Sequence, residues 1–337
     1  MDFVLGIDGG GTKTAAVILS LEGNVIGYGE AGASTYGVVP PMITRNHIEA
    51  AVRQACLQAG ISVPTFKAAF LGLGNVVSEA DRLAIREIAQ DLGLAEPEKM
   101  DVDHDIRVAL AGGLSGRPGI VLILGTGASC YGLNEMGQTW RSGGWGPLID
   151  DGGSGYWLGI QAMHAAVADF DGRGKATQLA SSVKSELKLT SMDELMNRLY
   201  AQNMSRTEIS RLAKLVFAAA LNGDEVAHAI LQQGCDLLAD CVSAVARKLA
   251  MDDHPSEVAL VGGLTRAGSI YLGPLHRAIL ARLPECQVHL AEMSPVLGAG
   301  LLALKILTSS LPDSVIKKIH ETSKDFLTTI EEPTVIH

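Results

Sequence analysis

The residues near the start of the chain suggest phosphate chemistry. Asp8 ends an apolar run and is followed by Gly9-Gly10-Gly11 and by Thr12, Lys13 and Thr14. Glycines let backbone N–H groups approach a phosphate closely, a hydroxyl adds a donor, and a carboxylate holds Mg²⁺ directly or through water. A P-loop would need Lys at Thr12, and a dinucleotide fingerprint would need Gly at Thr14. The stretch therefore predicts a different phosphate loop or, alternatively, a plain glycine-rich hairpin.

A second glycine turn, Gly125-Thr126-Gly127, follows another apolar run. The tripeptide is common in turns and carries little information alone. In both places, however, the order is strand, glycine turn, strand and hairpin turn. We interpret this as a duplicated α/β unit, in which two such loops facing each other across a cleft could hold a polyphosphate from both sides.

Asp101-Val102-Asp103-His104-Asp105 is a cluster of carboxylates. It begins like a calcium loop, but Ile106 stands at the required Gly and Gly112 at the required Glu, so calcium binding is rejected. Asp105 precedes an amphipathic run and could act as an N-cap. It is equally a candidate for the carboxylate that accepts a hydroxyl proton in phosphoryl transfer.

The segment 143–157 places Trp145 among three glycines, and the adjacent carboxylates Asp150 and Asp151 precede Ser154, a predicted N-cap. Aromatic faces and carboxylates are what sugar sites use, the first for C–H faces and the second for hydroxyls. The alternative is a rigid turn whose Trp packs inward.

The bulk properties narrow the class of protein. The 337 residues suggest two domains, and the 47% hydrophobic content is ordinary globular composition. A net charge of −10 disfavours a nucleic-acid partner. No run of apolar residues is long enough for a membrane span, and no signal peptide opens the chain, so we expect a cytoplasmic protein. The five cysteines form no CxxC pair, and the histidines show no metal spacing.

Apolar runs bounded by turn residues predict strands at 3–7, 15–19, 25–28, 68–73, 120–124, 129–133 and 257–261. Helical spacing predicts helices from an N-cap at Thr44 to Gly60, and at 79–92, 154–167, 206–221 and 226–249. Ser115–Gly119 reads as a linker.

At these motifs the chain resembles the N-acetylglucosamine kinases of the BadF/BadG/BcrA/BcrD ATPase family, within the actin–hexokinase–Hsp70 superfamily. The resemblance runs from about residue 3 to about residue 305. It implies an α/β fold of two ribonuclease-H-like domains around an interdomain cleft that closes on substrate, the actin-like ATPase fold. We expect an N-terminal domain at 1–116, a C-terminal domain at 117–305, and a helix or tail at 306–337 that packs back on the N-terminal domain.

The resemblance also implies roles for individual residues. Asp105 is expected to be the catalytic base, and Asp8 to belong to the Mg²⁺–ATP site as its metal ligand. The expected nucleotide-binding residues are Gly10, Gly11, Thr12 and Lys13 in the first loop, Thr126 and Gly127 in the second, and Gly262 and Gly263 under the adenosine. The expected sugar-binding residues are Gly144, Trp145 and Asp151. The segment 298–300 is expected to close the nucleotide region.

The activity implied is transfer of the γ-phosphoryl group of ATP to the 6-hydroxyl of N-acetylglucosamine, with Mg²⁺ as cofactor and a homodimer as the assembly. Ser34-Thr35-Tyr36 departs from the Ser-Thr-Asn of a relative, which leaves glucosamine and N-acetylmuramic acid as alternative substrates. From different classes, an ATPase that activates a dehydratase and a non-catalytic sugar sensor remain alternatives.

Overall fold

In the computed structural model, which describes residues 2–62, 65–308 and 310–327, the apolar runs form strands that are largely buried. The described strands are β1 (Phe3–Gly9), β2 (Thr14–Ser20), β3 (Val25–Ala31), β4 (Ala68–Leu73), β5 (Met100–His104), β6 (Gly119–Leu124), β7 (Ala128–Leu133), β8 (Thr139–Gly143), β9 (Glu257–Val261) and β10 (Gln287–Leu290).

Helices occupy most of the remaining described chain. They are α1 (Pro41–Ala59), α2 (Glu79–Asp91), α3 (Asp105–Gly113), α4 (Gly155–Phe170), α5 (Gln178–Glu186), α6 (Glu194–Met196), α7 (Arg206–Arg211), α8 (Ala213–Leu221), α9 (Glu225–Lys248), α10 (Ser269–Arg282), α11 (Pro295–Leu307) and α12 (Asp313–Leu327). Within the described ranges, no helix is both long enough and apolar enough to cross a bilayer.

Two five-stranded sheets have the same topology. The first runs β3-β2-β1-β4-β5 and the second, read in the same direction, β8-β7-β6-β9-β10. In each sheet the first three strands form an antiparallel meander, and the last two run parallel to the strand that begins the meander. The predicted duplication of an α/β unit is therefore confirmed.

The chain divides into two units, of which the first is Met1–Arg117 with Ala291–His337 and the second Pro118–Leu290. The first division falls beside the predicted boundary at 116. Residues 291–305, however, belong to the first unit and not to the C-terminal domain in which we expected them. The reason is that α11 packs on the sheet of the first unit. Of the expected tail, α12 also lies in the first unit, and residues 328–337 lie outside the described residues.

The first sheet is covered on both faces, which explains its almost continuously apolar strands. In β1, Leu5 and Ile7 join one core with α1 and α2, whereas Val4 joins the other core with α11. Helix α11 approaches β1 and α3 so closely that glycine is required at the contacts. A Cβ on Gly6 would lie 2.1 Å from the backbone nitrogen of Gly300, and one on Gly298 would lie 2.1 Å from the carbonyl oxygen of Val108. The segment 298–300 is thus a packing contact within the first unit.

Two predicted helices and one candidate N-cap differ from the structure. Helix α1 begins at Pro41, so Thr44 is a buried residue inside the helix and not its N-cap. The N-cap of α3 is His104, whose ring Nδ1 accepts from the backbone N–H of Ile106, and Asp105 is the first helical residue. The predicted helix 206–221 is interrupted at Leu212, which separates α7 from α8.

Candidate active site

In the first unit, the carboxyl ends of the parallel strands β1, β4 and β5 meet at one edge of the sheet. Asp8 pairs with Gly72, and Gly72 pairs with Asp103, so the next residues of the three strands emerge side by side. Asp105 follows directly as the first residue of α3. Open α/β sheets bind ligands at this edge.

Gly74, the residue directly after β4, lies beside the Asp105 carboxylate. A Cβ on Gly74 would lie 3.2 Å from Asp105 Oδ2 and 3.4 Å from Thr35 Oγ1. The glycine therefore leaves room for a carboxylate and a hydroxyl from separate parts of the chain.

The other carboxylate oxygen of Asp105, Oδ1, is buried without a hydrogen-bond partner among the described residues. His104 Nδ1 lies 2.5 Å from it, but the same nitrogen accepts a hydrogen bond of 3.2 Å from the Ile106 N–H. A neutral imidazole nitrogen cannot accept and donate at once. Asp105 Oδ1 thus keeps an unused acceptor position, which suits a group that takes up a proton.

Asp8 lies close enough to Asp105 for their charges to repel. Burial raises the pKa of Asp8 to about 7, the neighbouring charge of Asp105 adds to the rise, and Lys13 opposes it. Little positive charge lies near these two carboxylates, so a bound cation would reduce the repulsion between them.

The first glycine loop is a tight hairpin between β1 and β2. Gly10 N–H donates to the Lys13 carbonyl at 2.9 Å, and the Ser34 N–H donates to the Gly10 carbonyl at 3.1 Å. The exposed tip consists of Gly11 and Thr12, whose N–H groups have no hydrogen-bond acceptor in the described part of the chain. Lys13 forms an ion pair with Glu30 on β3.

The remaining acidic residues of the cluster 101–105 are engaged elsewhere. Asp103 accepts from Arg82 at 2.9 Å and from Arg107 at 2.8 Å. Burial works to raise the pKa of Asp103, but these two guanidinium groups and the His104 N–H together hold it below its usual value. Asp101 lies 3.6 Å from Arg107. Both residues therefore fasten α2 and α3 to β5 and are not free for chemistry.

The second unit repeats the hairpin loop between β6 and β7. Gly125 N–H donates to the Gly127 carbonyl at 3.0 Å. The carbonyls of Gly125 and Thr126 accept from the N–H groups of Gly155 and Tyr156, at 2.9 and 3.0 Å, in the first turn of α4. The N–H groups of Thr126 and Gly127 have no acceptor among the described residues. Phosphate oxygens are natural acceptors for such groups.

Asp151 lies against this second loop. Its side chain is only 3% exposed, and its backbone φ of 72° is unusual for a residue other than glycine. Oδ1 accepts from the Ala128 N–H at 3.2 Å, and Oδ2 forms an ion pair with Arg206 of α7. Burial raises the pKa of Asp151, and the Arg206 cation opposes the rise.

The glycine-rich segment after β8 presents Trp145 to solvent. The ring is 63% exposed, so the alternative of an inward-packed Trp is wrong. Arg141 lies over the ring, with its guanidinium carbon 4.9 Å from the ring centroid. Gly144 has a φ of 70°, and a Cβ there would lie 2.8 Å from Ser129 Oγ on β7. A ring held in this way offers a flat apolar face to a ligand.

Gly262 and Gly263 follow β9, the strand next to β6. A Cβ on Gly262 would lie 2.4 Å from the carbonyl oxygen of Leu124, and the residue has a φ of 114° that favours glycine. The second glycine loop, which begins at Gly125, and this loop therefore lie at the same edge of the second sheet.

The structure thus brings the predicted residues into two groups. Asp8, the first loop and Asp105 lie together in the first unit, and the second loop, Asp151 and Gly262 lie together in the second. Thr35 was named in the sequence analysis as part of Ser34-Thr35-Tyr36. Sequence reasoning did not find the other residues that complete the two groups, namely Gly74 in the first unit and Tyr156 and Arg206 in the second. A capping box, Ser205 with Glu208, marks the start of α7, but it gave no sign of where Arg206 would lie.

Two sheets of identical strand order, each with a glycine hairpin loop beside its first strand, define the class of the actin-like ATPase fold to which sugar kinases belong. A solved structure from Chromobacterium violaceum, described as a candidate N-acetylglucosamine kinase, superposes with a TM-score of 0.72 at 27% identity, covering 90% of this chain and 99% of that one. The chain belongs to the BadF/BadG/BcrA/BcrD ATPase family, which it matches over residues 5–303.

Two curated relatives are enzymes. The N-acetylmuramic acid/N-acetylglucosamine kinase of Clostridium acetobutylicum is 31% identical over 303 residues, which cover 90% of this chain and 98% of the relative. The N-acetyl-D-glucosamine kinase of Dictyostelium discoideum is 29% identical over 313 residues, again covering 90% and 98%. The similarity therefore extends over both units.

Proposed function

We propose that this protein is an ATP-dependent amino-sugar kinase that phosphorylates the 6-hydroxyl of N-acetylglucosamine. Membership of an ATPase family supports ATP as the donor, and the names of both curated relatives support the acceptor. The observation that carries the proposal is the buried, unpartnered Oδ1 of Asp105 at the carboxyl edge of the first sheet.

Asp105 acts as the general base. Its carboxylate accepts the proton of the sugar hydroxyl as that oxygen bonds to the γ-phosphorus and the bond from phosphorus to the leaving ADP oxygen breaks. Gly74 keeps the space around Oδ2 open, and the Thr35 hydroxyl next to it is a hydrogen-bonding group for the incoming sugar.

The donor set of the first unit fits Mg²⁺. Asp8 offers hard carboxylate oxygens. Burial, together with the neighbouring charge of Asp105, raises its pKa to about 7, and a bound cation would favour its charged form. When bound, Mg²⁺ supplies charge neutralisation for the phosphate oxygens. Asp8 would hold it directly or through water.

The two glycine loops bind phosphate through backbone groups. Gly11 and Thr12 in the first unit, and Thr126 and Gly127 in the second, each present N–H groups without a protein acceptor in the described residues. Gly10 and Lys13 close the first hairpin, and Gly262 with Gly263 form a loop beside the second for the adenosine. Such fixed donors stabilise developing negative charge without reorganisation.

Trp145 and Gly144 are the proposed sugar contacts of the second unit. The exposed ring provides an apolar face for sugar C–H groups, and the left-handed backbone of Gly144 fixes the direction in which the ring projects.

N-acetylmuramic acid is the second candidate substrate, because the Clostridium acetobutylicum relative is named for both sugars. That sugar carries an additional lactyl carboxylate, and Arg141 beside Trp145 is a cation that such a group could meet.

The deciding experiment is ADP release with Mg²⁺–ATP against N-acetylglucosamine, N-acetylmuramic acid, glucosamine, N-acetylmannosamine and glucose, with a control lacking sugar. We expect strong release with N-acetylglucosamine and none without sugar. Sugar-independent release would favour the dehydratase activator, and nucleotide binding with no release at all would favour the sugar sensor.

A further inference from the structure

We infer that Arg206 is a polyphosphate-binding residue of the second glycine loop, and that Asp151 is its positioning partner. The inference rests on the proposed function for ATP as the ligand. It adds a cation to a loop for which the sequence indicated backbone donors and a hydroxyl, and it gives Asp151 a task besides the one that the resemblance implied.

The side chains of Asp151 and Arg206 differ in solvent exposure. The side chain of Asp151 is 3% exposed and that of Arg206 is 44% exposed. Both oxygens of Asp151 already accept, one from the Ala128 N–H and the other from Arg206 Nη2. The buried carboxylate thus has little surface open to a ligand, whereas the guanidinium is accessible to one.

The location of Arg206 points to phosphate. A Cβ on Gly127 would lie 2.5 Å from Arg206 Nη2, so the guanidinium lies directly against the loop. The loop N–H groups of Thr126 and Gly127 lack acceptors in the same region of the described chain. A planar cation beside free backbone donors is the combination that binds phosphate oxygens strongly.

The donor count of Arg206 supports the same conclusion. A guanidinium has five N–H donors, and Asp151 engages Nη2. In the residues that the structure describes, Nε and Nη1 have no protein acceptor. The aromatic ring of Tyr156 lies beneath the cation, 6.0 Å from the guanidinium carbon to the ring centroid, and limits its movement. Donors thus remain for a ligand after the side chain has been fixed.

The electrostatics explain why Asp151 belongs to this arrangement. Its burial favours the protonated acid, and the positive charge of Arg206 favours the carboxylate. Each group therefore depends on the other, and the pair gives a rigid cation whose own negative partner is shielded from solvent.

The test is titration calorimetry of ADP and of adenosine, without sugar, on the full chain. Arg206→Met should raise the Kd for ADP about 10-fold or more, as expected for loss of one charge-assisted hydrogen bond, and leave the Kd for adenosine unchanged. Arg206→Lys should show a smaller rise, because an ammonium keeps the charge but not the planar donors. Arg211→Met, an exposed position at the end of the same helix, is the matched control and should bind ADP normally.

Loss of Arg206 leaves a buried carboxylate, so Arg206→Met could unfold. The double variant Asp151→Asn/Arg206→Met removes both charges and should fold while showing the same loss of ADP affinity. Gly127→Ala offers an independent approach, since its methyl group displaces Arg206 without removing it, and should also weaken ADP binding.

Unchanged ADP affinity in Arg206→Met and in the double variant would overturn the inference. So would an Asp151→Asn variant with normal ADP affinity and a raised KM for the sugar, since that pattern belongs to a sugar ligand. Because ADP binding is measured without sugar, a failure of the kinase assay would not be mistaken for a failure of this inference.

Discussion

The two glycine loops occupy equivalent places in the two sheets but have opposite electrostatics. In the first unit, Asp8 and Asp105 repel each other, and Lys13 is paired with Glu30. In the second unit, the buried carboxylate beside the loop, Asp151, forms an ion pair with Arg206. The same hairpin can therefore be equipped for two tasks: proton and metal chemistry where negative charge is left uncompensated, and anion binding where a cation is held in place.

The difference arises from what is inserted between equivalent strands. Between β3 and β4 the first unit has one helix, α1, whereas the corresponding connection of the second unit, between β8 and β9, contains α4 to α9. Helix α4 contributes the N–H groups that fix the second loop, and α7 contributes Arg206. In the second unit, the duplicated sheet therefore provides the glycine loop, and the inserted helices provide the cation beside it.

The largest effect that would test this comparison is expected for Asp105→Asn. We expect kcat to fall about 1,000-fold, within the range for loss of a general base, with the KM for sugar changed less than about 3-fold. Asp101→Asn, which alters a neighbouring carboxylate bound to arginines, is the matched control and should keep its turnover. By contrast, Asp151→Asn should raise the KM for ATP and retain most of kcat. If Asp105→Asn turned over normally, the first unit would not be the site of proton transfer.

A smaller effect concerns stability without nucleotide or metal. The pKa of Asp8 is about 7 in the folded protein and 3.8 in its ordinary state, so the folded protein binds more protons between these values. Stability should therefore fall as pH rises from about 4 to about 7, and then level off. Asp8→Asn removes this penalty and should be more stable than the native chain at pH 8 by about 2 kcal/mol, after discounting for solvent screening.

Urea unfolding from pH 5 to pH 8 in the presence of EDTA measures this difference. The two proteins should converge toward pH 5 and separate above pH 6. An Asp8→Asn protein that is equally or less stable at pH 8 would mean that the charges of the first unit are compensated, which would remove its contrast with the second.

The smallest effect is expected for Gly74→Ala. The added methyl group would lie 3.2 Å from Asp105 Oδ2, so the carboxylate must shift by a few tenths of an ångström. We expect kcat to fall about 3- to 10-fold with little change in thermal stability, because catalysis is more sensitive to such shifts than folding is. Gly273→Ala in α10, where the nearest neighbour would be 3.6 Å away, should leave kcat unchanged. Equal rates in both variants would show that Asp105 has more freedom than its surroundings indicate.

The sequence predicted the parts of the fold that depend on local patterns. Apolar runs such as 120–124 and the glycine turns at 9–11 and 125–127 are read from neighbouring residues, and their repetition indicated the duplicated sheet. The edge position of Asp105 could not be predicted in this way, because the strand that precedes it, β5, has the mostly polar sequence Met-Asp-Val-Asp-His and no apolar run marks it.

What the sequence could not reveal depends on packing between distant residues. Arg206 reaches Gly127 only because α4 and α7 lie against the second loop, and no local pattern encodes that contact. The burial of Asp151 follows from the same packing. The association of α11 with the first sheet depends on glycines at both contact surfaces, Gly6 and Gly298 among them, which look in the sequence like ordinary small residues.

The return of α11 to the first unit has a consequence for biosynthesis. Residues 294–300 pack against Gly6 and Gly112, where a Cβ would clash. One face of the first sheet is therefore not covered until this last part of the chain has been translated. The second unit is continuous from Pro118 to Leu290. We therefore expect the order of folding on the ribosome to reverse the order of the sequence, with the unit that is encoded second reaching its native state first.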